Sequence, residues 1–148
     1  MRAVVQRVSD ARVLSEGVLA GEIQKGLMVL LGVEDGDTQG DGDYIAQKLL
    51  GLRIFEDEKG VPNLDITEVG GSILLVSQFT LLGDARKGRR PSYIKAARPE
   101  TAIPLYERMV AALKEKVPVA TGVFQTEMQV NLTNDGPFTI LLDSKKNF

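Results

Sequence analysis

The chain has 148 residues, 43% of them hydrophobic, and a formal net charge of −2: enough apolar material for one core, and no global attraction for polyanions. Cysteine and histidine are both absent, which excludes disulfides, thiolate metal sites, the commonest general base and the thiol nucleophile together. The longest apolar run, Leu27 to Val33, is too short to span a bilayer, and the opening residues read as a strand rather than a signal segment. A single domain over residues 1–148, cytoplasmic and without membrane contact, is the expectation.

In chain order, Arg2 to Val8 reads as a strand, Ala11 to Ile23 as a hairpin turning at Glu16-Gly17, and Gly26 to Val33 as a buried strand. The acidic, Gly-rich stretch from Asp35 resembles a calcium loop until positions are counted. Gln39 then occupies a ligand position and Ala46 stands where a bidentate Glu is required, so the stretch is expected to lead into a helix. That helix follows over Asp43 to Leu52, with Ile45, Leu49 and Leu52 on one stripe. A short strand, a turn at Lys59-Gly60 and an extended return come next, with Glu56 and Asp57 facing solvent or capping the turn. Ser72 to Phe79, apolar nearly throughout, is expected as a central strand covered on both faces. A second helix carries Leu105, Met109, Ala112 and Leu113 at helical spacing, with Pro104 placed in its first turn. Met128, Val130 and Leu132 alternate with polar residues in a strand, and Phe138 to Asp143 forms the last one. The fold class is α+β: a mixed, barrel-like β-sheet packed by two helices.

Three stretches carry chemistry. Between Arg86 and Arg98 lie six Lys or Arg and no acid, among them Arg86, Lys87, Arg89, Arg90 and Lys95. Such a run either holds a polyphosphate or is a solvated loop. Ser77, Gln78, Phe79 and Thr80 stand where a buried strand gives way to a loop, a common place for hydroxyls and backbone N–H groups to face a ligand and also an ordinary strand end. Asn134-Asp135-Gly136-Pro137-Phe138-Thr139 lies between two strands; its residue types fit a plain tight turn, and its proline removes a backbone donor.

Together, Val76 to Leu81, Gly88 to Tyr93 and Met128 to Thr139, supported by Val5 to Val8 and Leu50 to Asn63, closely resemble the D-aminoacyl-tRNA deacylase family, also called D-tyrosyl-tRNA deacylase. The resemblance covers essentially the whole chain. It departs at Gln125 and Thr126, where small residues are usual, at Thr133 in place of an aliphatic residue, and at Phe138 in place of Val. It implies a homodimer that hydrolyses the ester joining a D-amino acid, or a misplaced glycine, to the 3′-terminal adenosine of tRNA, with active sites at the subunit interface. It further implies that Gly136–Pro137 is cis and reaches from one subunit into the active site of the other to reject L-amino acids. Arg7 would brace that loop, and Asn134, Asp135, Thr139 and Met128 would line the substrate's surroundings. No cofactor and no metal are expected.

An ester hydrolase without His or Cys needs another source of activation. Thr80 is a poor nucleophile unassisted, and no neighbour in sequence is an evident base. The substrate's own 2′-OH is the other source, with backbone N–H groups around Ser77 to Phe79 stabilising the oxyanion and Thr80 orienting water or the ribose hydroxyl. A non-catalytic nucleic-acid-binding dimer using the basic 86–98 loop is the alternative; it lacks Trp and has only three Tyr and five Phe for stacking.

Overall fold

β-Branched residues at the start of the chain build one long hairpin instead of a strand followed by a separate hairpin. In the computed structural model, which describes residues 1–148, β1 (Arg2–Ser15) runs for 14 residues to a two-residue turn at Glu16 and Gly17. Both turn residues have positive φ (49° and 82°), which matches the twist of the flanking strands. β2 (Val18–Ile23) and β3 (Gly26–Gly32) return along one edge of β1, β2 beside Ala11–Ser15 and β3 beside Arg2–Val8.

α1 (Gln39–Gly51) begins four residues before the expected Asp43, because the Asp41 carboxylate accepts the Thr38 N–H at 2.8 Å and closes the helix start. The acidic loop before it is structural: Asp37 is buried, accepts the Glu34 N–H at 2.7 Å and lies 2.8 Å from the Met1 ammonium. β4 (Phe55–Glu56) and β5 (Pro62–Leu64) form a small hairpin. Asp57 caps its turn by accepting the Val61 and Lys59 N–H groups, bonds that hold its carboxyl below the ordinary carboxylate range.

β6 (Ser72–Ser77) lies parallel to β3 and is covered on both faces, as its apolar run requires. It stops two residues short of the expected Phe79, where a 3-10 turn (Phe79–Leu82) begins. α2 (Pro99–Lys114) buries Ala102, Tyr106, Met109 and Leu113, while Leu105 and Ala112 only flank the stripe. Pro99, not Pro104, occupies the first turn. Pro104 is the sixth helical residue, on the exposed side, where water can replace the bond it forfeits. β7 (Val119–Thr121) continues the parallel pairing beyond β6.

β8 (Met128–Asp143) is one 16-residue strand paired with β1 along nearly its full length. The pairing breaks opposite Arg7: Gln6 meets Thr139 and Val8 meets Asn134, so four residues, Asp135 to Phe138, bulge against one. The odd number of extra residues switches faces. Met128, Val130 and Leu132 pack against a seven-residue cluster on one side of the sheet, whereas Phe138, Ile140 and Leu142 join the 21-residue core under the helices. The ribbon of β2, the end of β1 and the start of β8 curls toward β7, so that Gly21 lies against Thr121 and the mixed sheet nearly closes. No helix is long and apolar enough to cross a membrane.

The β3–β6 pair sets where Ser77 emerges, and it tolerates no side chain at Gly26, whose added Cβ would sit 1.8 Å from the Ser72 carbonyl oxygen. Gly26→Ala is expected to lower stability by about 4 kcal/mol or abolish soluble expression. Gly51→Ala, with nothing within 4 Å, should instead raise it by about 0.5–1 kcal/mol. Urea unfolding of both variants against the parent checks the pair.

Candidate functional site

Ser77 is the last residue of β6 and pairs with Leu31. The next N–H, that of Gln78, is bound to the Leu31 carbonyl at 2.7 Å. The first bond of the 3-10 turn then runs from Leu81 N–H to the Gln78 carbonyl, so the Phe79 and Thr80 N–H groups precede the turn's own bonding. The expected oxyanion donors around Ser77 to Phe79 therefore exclude Gln78. The Gln78 amide donates to Thr80 Oγ1. An amide cannot take the proton of a hydroxyl, so this contact orients Thr80 without making it a nucleophile.

Beside this strand end opens a cavity of about 570 Å³. Ser77, Gln78 and Phe79 form one wall, Met128 and Val130 of β8 another, and Arg98, Pro99 and Ala102 at the start of α2 a third. Phe79 and Tyr93 meet edge to face at 5.3 Å and make an exposed aromatic lip. Phe124 packs against Tyr106 at 6.0 Å. Tyr106 donates its hydroxyl to the Leu75 carbonyl at 2.7 Å, and burial pushes its pKa up to about 12. No Asp or Glu lines the cavity, and no three carboxylates converge anywhere in the chain to hold a metal. Thr80 lies outside the lining, one residue beyond it.

The bulge of β8 forms a second feature. The Gly136–Pro137 peptide is cis, and Asn134 to Pro137 are all exposed. Arg7, itself buried, donates from Nε to the Asp135 carbonyl at 3.0 Å and from a terminal nitrogen to the Ile54 carbonyl at 2.6 Å. Its guanidinium also lies 4.9 Å over the Phe138 ring. Gly136 has φ 129°, and a Cβ there would meet Arg7 at 3.2 Å, so glycine is required on both counts. Thr139 Oγ1 donates to Gln6 Oε1 at 2.5 Å, anchoring the far side of the bulge.

Within one chain these two features stay apart. Arg7 pairs with Leu27 of β3 and Ser77 with Leu31, four residues or about 13 Å farther along the strand direction. No residue from Asn134 to Thr139 lines the cavity. Ser77, Gln78, Phe79 and Met128 are brought together, and Arg7, Asp135 and Gly136 are brought together elsewhere.

The basic loop borders the cavity through Tyr93 and is closed by paired backbone bonds between Asp84 and Ser92, 2.8 and 2.9 Å. Arg86 is committed to the Asp84 carboxylate at 2.6 Å, and this pairing holds the Asp84 carboxyl far below the usual range. Lys87, Arg89, Arg90 and Lys95 are exposed and have no carboxylate within 4.0 Å. Sequence reading missed Tyr93, Arg98, Tyr106 and Phe124 as cavity residues. For Tyr106 a signal exists: a polar-tipped aromatic on the buried face of a helix needs a partner beneath it.

A family model described as D-Tyr-tRNA(Tyr) deacylase matches residues 4–143. The chain belongs to the D-aminoacyl-tRNA deacylase family. A D-aminoacyl-tRNA deacylase of Kosmotoga olearia is 60% identical over 148 residues, with both chains wholly covered. One from Clostridioides difficile is 57% identical over 149 residues, again with full coverage of both. Among solved structures, that of a c-Myc DNA Unwinding Element Binding Protein has a TM-score of 0.91 at 38% identity, covering 97% of this chain and 98% of that one. A probable eukaryotic D-amino acid tRNA deacylase shares the fold, with a TM-score of 0.82 at 20% identity and coverage of 96% and 98%.

Arg7 ties the bulge to two other parts of this deacylase-family fold, through the Asp135 and Ile54 carbonyls. Arg7→Lys is expected to cost about 1–3 kcal/mol, since a lysine cannot serve Ile54 and Asp135 together. Amide exchange at residues 134–138 should quicken while exchange in β6 stays unchanged, as read by hydrogen–deuterium exchange.

Proposed function

We propose that this chain hydrolyses the ester of D-aminoacyl-tRNA, and of glycyl-tRNA, as a homodimer in the cytoplasm, releasing the free amino acid and tRNA. Family membership over residues 4–143 supports the reaction class. The observation that carries the rest is the separation of the exposed Gly136–Pro137 bulge from its own chain's cavity. A second copy supplies the bulge to the cavity. β8 pairs only with β1 and leaves its outer edge open, with Leu141 56% exposed, a surface suited to a second chain.

The two mirror forms of an aminoacyl group differ only in which direction carries the side chain. A wall sorts them where attraction to a particular side chain cannot. Gly136 lets the main chain come near the α-carbon, with neighbouring carbonyls toward the substrate ammonium, so an L side chain meets the wall and a hydrogen does not. Glycine passes for the same reason. Asn134, Asp135 and Thr139 hold the shape of the bulge, and Met128 closes the opposite wall.

Water attacks the ester carbonyl carbon, the carbon–oxygen bond to the ribose breaks, and the proton released by water ends on the leaving ribose oxygen. The vicinal 2′-OH of the terminal adenosine passes that proton and orients the water, because the cavity lining offers no carboxylate, His or Cys. The Phe79 and Thr80 N–H groups stabilise the oxyanion, at about 3 kcal/mol per donor, and Thr80 Oγ1 orients the hydroxyls.

Single-turnover assays with D- and L-aminoacyl-tRNA test this reading: release from D only is expected, and equal cleavage of both would end it. Thr80→Val should retain measurable activity; complete loss with ligand binding intact would make Thr80 the nucleophile and overturn the RNA-assisted step.

The unpaired Lys87, Arg89, Arg90 and Lys95, with Arg98 in the cavity wall, contact phosphates of the acceptor end in a salt-sensitive, sequence-independent way. Arg89→Glu with Arg90→Glu should weaken tRNA binding by about tenfold or more at low salt while sparing a minimal D-aminoacyl-adenosine, measured by filter binding and ester release. The rival reading, a non-catalytic nucleic-acid-binding dimer, is favoured by this loop and by the 38% likeness to a protein named for binding DNA. It predicts release of neither enantiomer in the same assay.

A further inference from the structure

Three residues other than glycine have positive φ: Glu16, Gln125 and Lys146. Glu16 sits in the two-residue hairpin turn, and Lys146 in a terminal turn whose N–H is bound to Asp143. Gln125 also occupies a turn, as second residue of the Phe124–Gln125 pair, where Thr126 Oγ1 reaches back to the Val123 carbonyl. The Gln125 φ is 61°, a conformation glycine adopts freely and a long side chain resists, and the residue lies in the wall of the cavity.

The backbone around Gln125 is held from both sides. Phe124 is seated on Tyr106, and Thr126 Oγ1 meets Ser15 Oγ at 2.7 Å and donates to the Val123 carbonyl at 3.0 Å. Gln125 itself is exposed, and its amide makes no hydrogen bond within the chain. Most other polar groups of the lining are spent: Tyr106 on Leu75, Thr126 on its loop, and the Gln78 amide on Thr80. Of those left free, Arg98 only donates, and Ser77 and Tyr93 each offer a single hydroxyl. Gln125 presents a wholly unpartnered donor and acceptor side by side in one plane, whereas the Gln78 amide is partly engaged by Thr80, in a cavity whose aromatic residues provide faces for a flat ring. Adenine displays the matching adjacent donor and acceptor at its 6-amino group and ring nitrogen.

We propose that Gln125 reads the base of the 3′-terminal adenosine, its side-chain amide hydrogen-bonding the adenine edge from a turn that holds its backbone at φ 61°. The inference rests on the cavity being the site of the aminoacylated 3′ end, as proposed above. It makes Gln125 a binding residue that positions the ester, without a part in bond breaking.

The test measures calorimetric binding of 3′-(D-alanylamino)-3′-deoxyadenosine, which cannot be hydrolysed, and of its purine analogue lacking the 6-amino group. Wild type is expected to prefer the adenosine compound by about tenfold. Gln125→Gly should bring the two affinities together and, by relieving the backbone, raise the melting temperature. Gln125→Glu, which keeps an acceptor for the 6-amino group but loses the donor to the ring nitrogen, should weaken both compounds and leave the preference in place. A preference unchanged in Gln125→Gly would overturn the proposal even though the cavity binds the 3′ end. A changed D-to-L ratio with the base preference intact would overturn it too, placing Gln125 against the chiral centre. Binding of neither compound to wild type would sink the cavity assignment, and this inference with it.

Discussion

The pairing of β1 on both of its edges is the constraint from which the rest follows. One edge carries β3 and then β2; the other carries β8 for nearly its whole length. Since β3 carries β6 in turn, the positions of Ser77 and of the Gly136–Pro137 bulge are both measured from one strand. A slip of one residue would turn every side chain of that strand to the wrong face. The register is secured by apolar residues committed to two different cores: Ala3 and Val5 to one, Val8, Ala11 and Val13 to the other.

This arrangement explains why the two functional features are rigid and distant. The strand end at Ser77 is backed by Leu74, Leu75 and Val76, all buried, so the groups that follow it are offered from a fixed platform. The bulge hangs from Arg7, whose head group is shared between Ile54, Asp135 and Phe138. Both parts are held by packing within the chain, which is what the proposed discrimination by exclusion would require of a wall. The same rigidity keeps the bulge from swinging the length of β3 to reach its own cavity, which is why the proposed function places a second copy there.

The basic loop illustrates how a cluster of charge divides into different tasks. Arg86 closes the loop on Asp84, and its hydrogen bonds hold the Asp84 carboxyl far below the ordinary carboxylate range. Its neighbours remain free for an anionic partner. Composition alone treats all six cations alike.

Much was legible in the residues themselves. The apolar run before Ser77 announces a strand covered on both faces. The missing His and Cys remove the commonest general base and the thiol nucleophile from consideration. The Ser77–Thr80 and Asn134–Thr139 motifs point to the family. Local rules failed where distant partners decide. Nothing near Ser9 in sequence shows that the opening strand runs on into the hairpin as one β1, because the strand that spans the join is β8, over a hundred residues away. Period-two alternation puts Met128 and Ile140 on one face; the bulge opposite Arg7 sends them to opposite sides of the sheet. The aromatic walls of the cavity, and Gln125 in its unfavourable conformation, exist as a site only once β6, β8 and the start of α2 converge. Sequence determined the materials and the local turns, since those depend on neighbours; the tertiary structure alone decided which side chains share a cavity, since that depends on strand register.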